Sequence, residues 1–319
     1  MAEIEGLVRA LREGDDAAKV AAARALGDLA GGTAEKAAIP KAGGIPPLVE
    51  LLRDGSANTK VAALGALCEL ADFNPANKVL IAEAGGIPLL VELVRAGSAH
   101  AKEQAAWLLW NLAWNAANQN PIAEAGGIPS LVELLRDGSA TAKPAAASAL
   151  GNLASNNDAN AVAIAAAGAI PLLVELLRDG SADAKEEAAL ALCNLAYHNA
   201  ANKVAIAEAG AIPLLVELLR DGSAEASRRA TGALWNIAYN NDANAVAIAA
   251  AVSLEALVEL ARRGRLTVDD QSVVRDAGIA AKRKAALVVA ALLRACVPDE
   301  LRGRADVRDV IRGVVGPYL

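Results

Sequence analysis

One phrase dominates this chain. A Gly-Ile-Pro or Ala-Ile-Pro triplet recurs with its proline at Pro46, Pro88, Pro129, Pro171 and Pro213, at steps of 42, 41, 42 and 42. Each copy continues into a nearly constant block, as in Leu215-Val216-Glu217-Leu218-Leu219-Arg220-Asp221-Gly222-Ser223. Fainter copies stand one period upstream (Gly6-Leu7-Val8 through Glu13-Gly14) and one period downstream (Leu254 through Gly264). A unit of about 42 residues cannot bury its apolar faces alone, so neighbours must stack to share one continuous core. Most globular architectures are excluded by this spacing before any composition is counted.

Each unit reads as three helices. The first is short, as in Lys203 to Ala209, with Asn202 expected as its N-cap. It stops at Gly210, suited to a left-handed cap. The second opens with Pro213 in its first turn, where a missing N–H costs nothing. The third runs from about Ala224 to Tyr239, with apolar residues at helical spacing. Pro144 falls in the first turn of its own third helix and does not contradict this reading. No alternating β-branched stretch suggests a strand, so the fold class is all-α.

The stretch Asn202-Lys-Val-Ala-Ile-Ala-Glu-Ala-Gly-Ala-Ile-Pro-Leu-Leu-Val-Glu-Leu-Leu, with Ala233-Leu-Trp-Asn-Ile-Ala238 downstream, resembles the armadillo repeat. It is most similar to the armadillo arrays of plant U-box proteins and more distantly to importin-α and β-catenin. A HEAT array lacks this short first helix with its Gly-Ile-Pro junction. The resemblance implies a right-handed α-solenoid of stacked three-helix repeats. Residues 1–32 read as a degenerate N-terminal capping repeat without its first helix, and 33–243 as five regular repeats. Residues 244–319 read as a degenerate C-terminal repeat, with an insertion around Gly264 to Gly278 and a capping helix over Ala305 to Val314.

The third helices repeat Asn at Asn111, Asn152, Asn194 and Asn236, where Asp28 and Glu69 stand upstream. Asn is a poor residue for a helix interior, so its recurrence needs a cause. One reading ties each amide to a backbone group of the neighbouring unit. The other comes from the resemblance, in which these asparagines line a concave face. A carboxamide carries a donor and an acceptor and can pair with both main-chain groups of an extended peptide residue. The two readings can coexist.

Positions four before and three after each Asn share its face. They supply Trp107, Trp114, Ser148, Ser155, Leu190, Tyr197, Gly232 and Tyr239. The candidate peptide-binding set is therefore Asn111, Asn152, Asn194, Asn236, Trp107, Trp114, Tyr197, Tyr239, Glu69 and Ser155. Trp110 and Trp235, one residue before the ladder, are expected to pack between helices. The Trp-x-x-x-Asn pair typical of importin-α survives only at Trp107 and Asn111, which argues against nuclear-signal binding.

Charge is uneven. Through Glu225 there are 17 basic and 27 acidic residues, and after it 14 and 10, which together make the net −6. The groove slots echo this with Glu69, Asp72 and Glu187 early and Arg229 late, a pattern that would steer a peptide basic at one end and acidic at the other. The acidic balance, with no basic stripe interleaved with aromatics, excludes a nucleic-acid surface.

Chemistry is sparse. His100 and His198 sit in different units, no Cys-x-x-Cys occurs, and the glycine pairs lack a phosphate-loop lysine. Cys68 and Cys193 occupy equivalent slots three units apart, beyond disulfide reach, and read as small fillers. No enzyme, cofactor or metal is expected. The longest uncharged apolar run, Ala161 to Val174, is broken by Gly168 and Pro171 and too short to cross a bilayer. The expectation is a monomeric, cytoplasmic (also nuclear) interaction scaffold holding an extended or disordered segment of a partner protein. The alternatives are a substrate-recognition fragment of a ubiquitin ligase, a nuclear-import-type adaptor, and a scaffold with no fixed ligand.

Overall fold

The computed structural model describes residues 1–251, and these contain eighteen α-helices and no strand. The expected insertion near Gly264, the helix over Ala305 to Val314 and the terminal aromatic Tyr318 lie outside the described residues. The chain divides into two compact units, Met1–Leu153 and Ala154–Leu319.

The first unit opens with a helix pair, α1 (Ala2–Glu13) and α2 (Asp16–Leu29), followed by three triplets. These are α3 (Thr33–Lys41), α4 (Ile45–Asp54) and α5 (Ala57–Ala71); α6 (Pro75–Glu83), α7 (Gly86–Ala96) and α8 (Ala99–Ala113); and α9 (Ala116–Glu124), α10 (Gly127–Asp137) and α11 (Ala142–Ala154). The second unit holds α12 (Asp158–Ala166), α13 (Ala169–Asp179) and α14 (Ala182–Ala196), then α15 (Ala200–Glu208), α16 (Ala211–Asp221) and α17 (Ala224–Ala238), and finally α18 (Asp242–Ala251).

Third helices stack on third helices: α2 on α5 and α5 on α8 in the first unit, α14 on α17 in the second. Alanine permits this closeness. Ala63, Ala105, Ala106, Ala188, Ala189 and Ala230 are fully buried. At Gly27 the approach is tighter still, and a Cβ there would stand 3.3 Å from the Ala66 Cα, closer than ordinary van der Waals contact. The second helices feed Leu and Ile beneath, with Leu48, Leu90, Leu131, Leu173 and Leu215 wholly enclosed.

Caps set the joints. Ser56, Ser98, Ser181 and Ser223 each accept a first-turn N–H of the third helix that follows, which relieves a donor the helix cannot satisfy itself. Gly85, Gly126, Gly168 and Gly210 join first to second helices at φ of 81–85°, the left-handed conformation expected of Gly210. Pro144 governs one exception. Other third helices begin directly after their Ser, but α11 starts at Ala142, three residues past Ser139. A start at Ala140 would push Pro144 into the second turn, where it lacks a needed N–H and clashes.

The first helices correct one expectation. Asn202 is not the N-cap. The cap is Asn199, whose side chain accepts the Asn202 N–H at 2.9 Å, and Asn202 lies buried inside α15. The Asn202 Nδ2 donates to Leu195 O at 2.9 Å and to Ala161 O at 3.3 Å. Asn77 does the same with Leu70 O and Lys36 O, Asn118 with Leu112 O and Lys78 O, and Asn244 with Ile237 O and Lys203 O. This second asparagine row joins α6, α9, α15 and α18 both to the third helix before each and to the preceding first helix.

The junction from third to first helix explains the single step of 41. It carries a left-handed residue at Phe73, Asn156, His198 and Asn240, with φ of 48–54°. Between α8 and α9 that residue is absent, and Trp114 is followed directly by the cap Asn115. Asn tolerates this conformation, but a bulky ring does not. Phe73 is also 93% exposed and gains no packing in return. Phe73→Asn is expected to stabilise the fold by about 1 kcal/mol, read as a Tm higher by roughly 2–4 °C.

Candidate functional site

The ladder asparagines occupy one stripe of the third helices, and each unit presents its own part of it. In the first unit Asn152 donates from Nδ2 to Trp110 O at 3.2 Å, tying α11 to α8. Asn111, 8% exposed, makes no side-chain hydrogen bond among the described residues. No buried polar side-chain atom lacks a partner there, so both polar atoms of Asn111 meet solvent. In the second unit Asn236 donates to Cys193 O at 2.9 Å and lies 3.3 Å from Cys193 Sγ, while Asn194 is half-buried on α14. The tie to the neighbouring repeat is thus real for Asn152 and Asn236. It uses the donor and leaves the Oδ1 acceptor open.

The aromatics flank this stripe. Trp107 and Trp110 meet edge to face at 5.3 Å, both half-buried. Trp235 and Tyr239 lie 5.5 Å apart, also half-buried. The expectation that Trp110 and Trp235 pack between helices is therefore only half met: each shares its exposed edge with a ladder-side ring. Trp114 and Tyr197 are 65% and 43% exposed. The Tyr197 ring stands 4.1 Å from His198, edge on. Ser155 is half-buried in the turn that opens the second unit.

Lysines from the first helices reach the same edge, a contribution that the sequence reading missed. Lys203 Nζ donates to Tyr239 O at 2.6 Å and lies 5.2 Å from the Tyr239 ring centre. Lys36 Nζ donates to Asp72 O at 3.0 Å, and Lys78 Nζ lies 6.0 Å from the Trp114 centroid. Each places a cation at the carbonyl end of a third helix, where the helix dipole favours it. Burial pushes the ammonium pKa of Lys78 and Lys203 down. Their spacing was the available signal, since Lys36, Lys78 and Lys203 fall in one slot of the period.

Charges divide sharply between the units. Glu69 is exposed and Asp72 half-buried on the first-unit stripe, and neither carboxylate forms a salt bridge among the described residues. Together with burial they push the Cys68 thiol up to about 12, burial being the larger cause. In the second unit Arg229 is surrounded. Its Nη1 lies 2.7 Å from Glu187 Oε1, its Nη2 3.3 Å from Glu186 Oε1 and its Nε 2.9 Å from Glu225 Oε1. Hydrogen bonds from Arg228 and Arg229 hold the Glu225 carboxyl down at about 2. The expected charge gradient is corrected here: Arg229 is spent within the unit and does not await an acidic ligand group.

Among the described residues no group of three or more His, Cys, Asp and Glu side chains could hold a metal. No single helix there is long and apolar enough to cross a membrane, and the run from Ala161 to Val174 is split between α12 and α13, bent by 78°.

Three-helix repeats with a left-handed glycine joint, stacked through their third helices, define an armadillo solenoid. The chain matches the model of the plant U-box protein ARM repeat region over residues 47–238, more than half its length, and belongs to that family. No curated protein matches it. An engineered protein solved by a structural genomics consortium aligns with TM-score 0.77 and 31% identity over 99% of this chain and 72% of its own. A second engineered protein reaches TM-score 0.71 and 34% identity, covering 75% and 98%. A designed armadillo repeat protein solved in complex with the peptide (KR)4 aligns with TM-score 0.68 and 32% identity, covering 73% and 99%.

Proposed function

We propose that the third-helix faces hold an extended segment of a partner protein, gripped through its main chain by the ladder carboxamides. The observation that carries this reading is the unspent hydrogen-bonding capacity of Asn111, with the open acceptors of Asn152 and Asn236. Extended peptides recognised this way gain affinity from main-chain bonds and selectivity from alternate side chains. On the first unit the side chain favoured is basic. Glu69 on α5 and Asp72, its C-cap, form no salt bridge among the described residues, and Trp107, half-buried on the adjacent α8, is an aromatic partner for a cation. The designed relative bound to (KR)4 supports that chemistry.

The test is a titration with a (Lys-Arg)4 peptide. Asn111→Ala with Asn152→Ala is expected to weaken binding about tenfold or more, since each lost main-chain hydrogen bond removes on the order of 1 kcal/mol. Circular dichroism checks that the fold survives. An unchanged affinity in the folded variant refutes the reading. The match to plant U-box proteins favours a second, compatible reading, in which the captured segment belongs to the substrate of a ubiquitin ligase.

A further inference from the structure

The row two turns before the ladder runs Gln104 and Ala145 in the first unit and Glu187 and Arg229 in the second, one residue per third helix. It lies on the ladder's own face, because seven residues return a helix nearly to its starting angle. Glu225 lies one turn further back on the same stripe. In the second unit this stripe already contains a cation. The Arg229 guanidinium, on α17, reaches across to Glu186 and Glu187 on α14 and back to Glu225 on its own helix. The side chains of Arg229, Glu187 and Glu186 are 17–20% exposed, so the pairs sit at the edge of the solvent rather than in it.

We propose that Arg229 determines specificity: it occupies the place that a basic ligand side chain would take against Glu186 and Glu187, and so confines basic-residue recognition to the first unit. This rests on the reading of the ladder face as a peptide site. The physical reason is competition. A guanidinium held by its own chain next to three carboxylates loses no translational freedom on pairing, whereas a ligand cation must lose it and also displace the occupant. The two Arg and three Glu of the cluster leave the unit-two stripe close to neutral, with Leu190, Gly232, Trp235 and Tyr239 beside it. That surface selects uncharged residues. Partly buried ion pairs gain little net stability once desolvation is counted, so fold maintenance is a weak account of this arrangement. A built-in counter-ion that rejects the wrong side chain is a recognised way to gain selectivity.

The experiment uses the full chain and a fluorescent (Lys-Arg)4 peptide. Glu69→Gln with Asp72→Asn is expected to lower the affinity about tenfold, which tests the first-unit site alone. Adding Arg229→Ala to that double variant is expected to raise affinity again by about tenfold. Further addition of Glu186→Gln and Glu187→Gln is expected to abolish the gain. Arg229→Gln, which keeps hydrogen-bond donors, stands in if melting curves show Arg229→Ala to be unfolded. No gain from a folded Arg229 variant overturns the proposal, even if the first-unit site proves correct. A gain that survives removal of Glu186 and Glu187 overturns it as well. A gain without any effect of Glu69 and Asp72 upholds the role of Arg229 and removes the first-unit site instead.

Discussion

Asn202→Ala is expected to cost about 2–4 kcal/mol of stability, the largest loss foreseen for any polar residue in the chain. Asn202 is 4% exposed, and its Nδ2 serves two carbonyls at once, Leu195 O and Ala161 O. Alanine removes both bonds; Ala161 O keeps its partner within α12, but Leu195 O, in the last turn of α14, loses its donor, at about 1–3 kcal/mol for a group so stranded. Had Asn202 been an N-cap, the loss would stop near 1 kcal/mol. Asn236→Ala is the control. It breaks one tie to Cys193 O at a half-buried position, and about 1 kcal/mol is expected. Urea denaturation followed by circular dichroism reads both, and comparison of midpoints is preferable to a single free energy, because repeat arrays need not unfold as one step. Equal midpoints for the two variants would show that the first-helix row is no more structural than the ladder.

Trp107→Ala is expected to weaken binding of a (Lys-Arg)4 peptide by about 30-fold or more, the scale of an interface hot spot worth 2 kcal/mol. Trp107 is half-buried, backed edge-on by Trp110, and stands on the same stripe as Asn111. The corresponding slot on α5 is Gly65, where a Cβ would meet nothing within 4 Å. The face of α5 at Gly65 is therefore open, with Glu69 one turn further along the helix. Gly65→Leu is a second arm of the same measurement. It adds bulk to that space without removing any contact, and a comparable loss of affinity is expected from it. If the peptide binds both folded variants as it binds the native chain, the site does not lie at Trp107.

Much of the architecture could be read from spacing alone. The Pro46-to-Pro213 series, the glycine joint at Gly210 and the displaced start forced by Pro144 are backbone rules, and backbone rules are local. Asn202 was misread because two asparagines, Asn199 and Asn202, stand three residues apart at the start of α15. Composition cannot say which one caps and which one turns inward; burial decides it. The ladder stripe followed from helical period, yet its electrostatics did not. Whether Glu187 and Arg229 are open or mutually paired depends on how closely α14 approaches α17, a distance set by the alanines between them. Lys78 and Lys203 escaped notice for a related reason. They belong to first helices, and only the packing of the triplet brings them to the carbonyl ends of the third helices of their own repeats.

Most of the ties between repeats run close to one period. Asn77 to Lys36, Asn202 to Ala161, Asn244 to Lys203, Asn152 to Trp110 and Arg229 to Glu187 all join residues 41 or 42 apart. Such a molecule can change length without being redesigned. Copy out one period, cut at any point, and each donor still finds an acceptor one period back; delete one period and the same holds. The loss of one residue is absorbed at the junction where Trp114 meets Asn115, and the tie that spans it, Asn118 to Lys78, is correspondingly 40 residues long. Heredity by duplication and slippage would act on this chain as on a measured tape, extending or shortening the face it offers while the joinery stays the same.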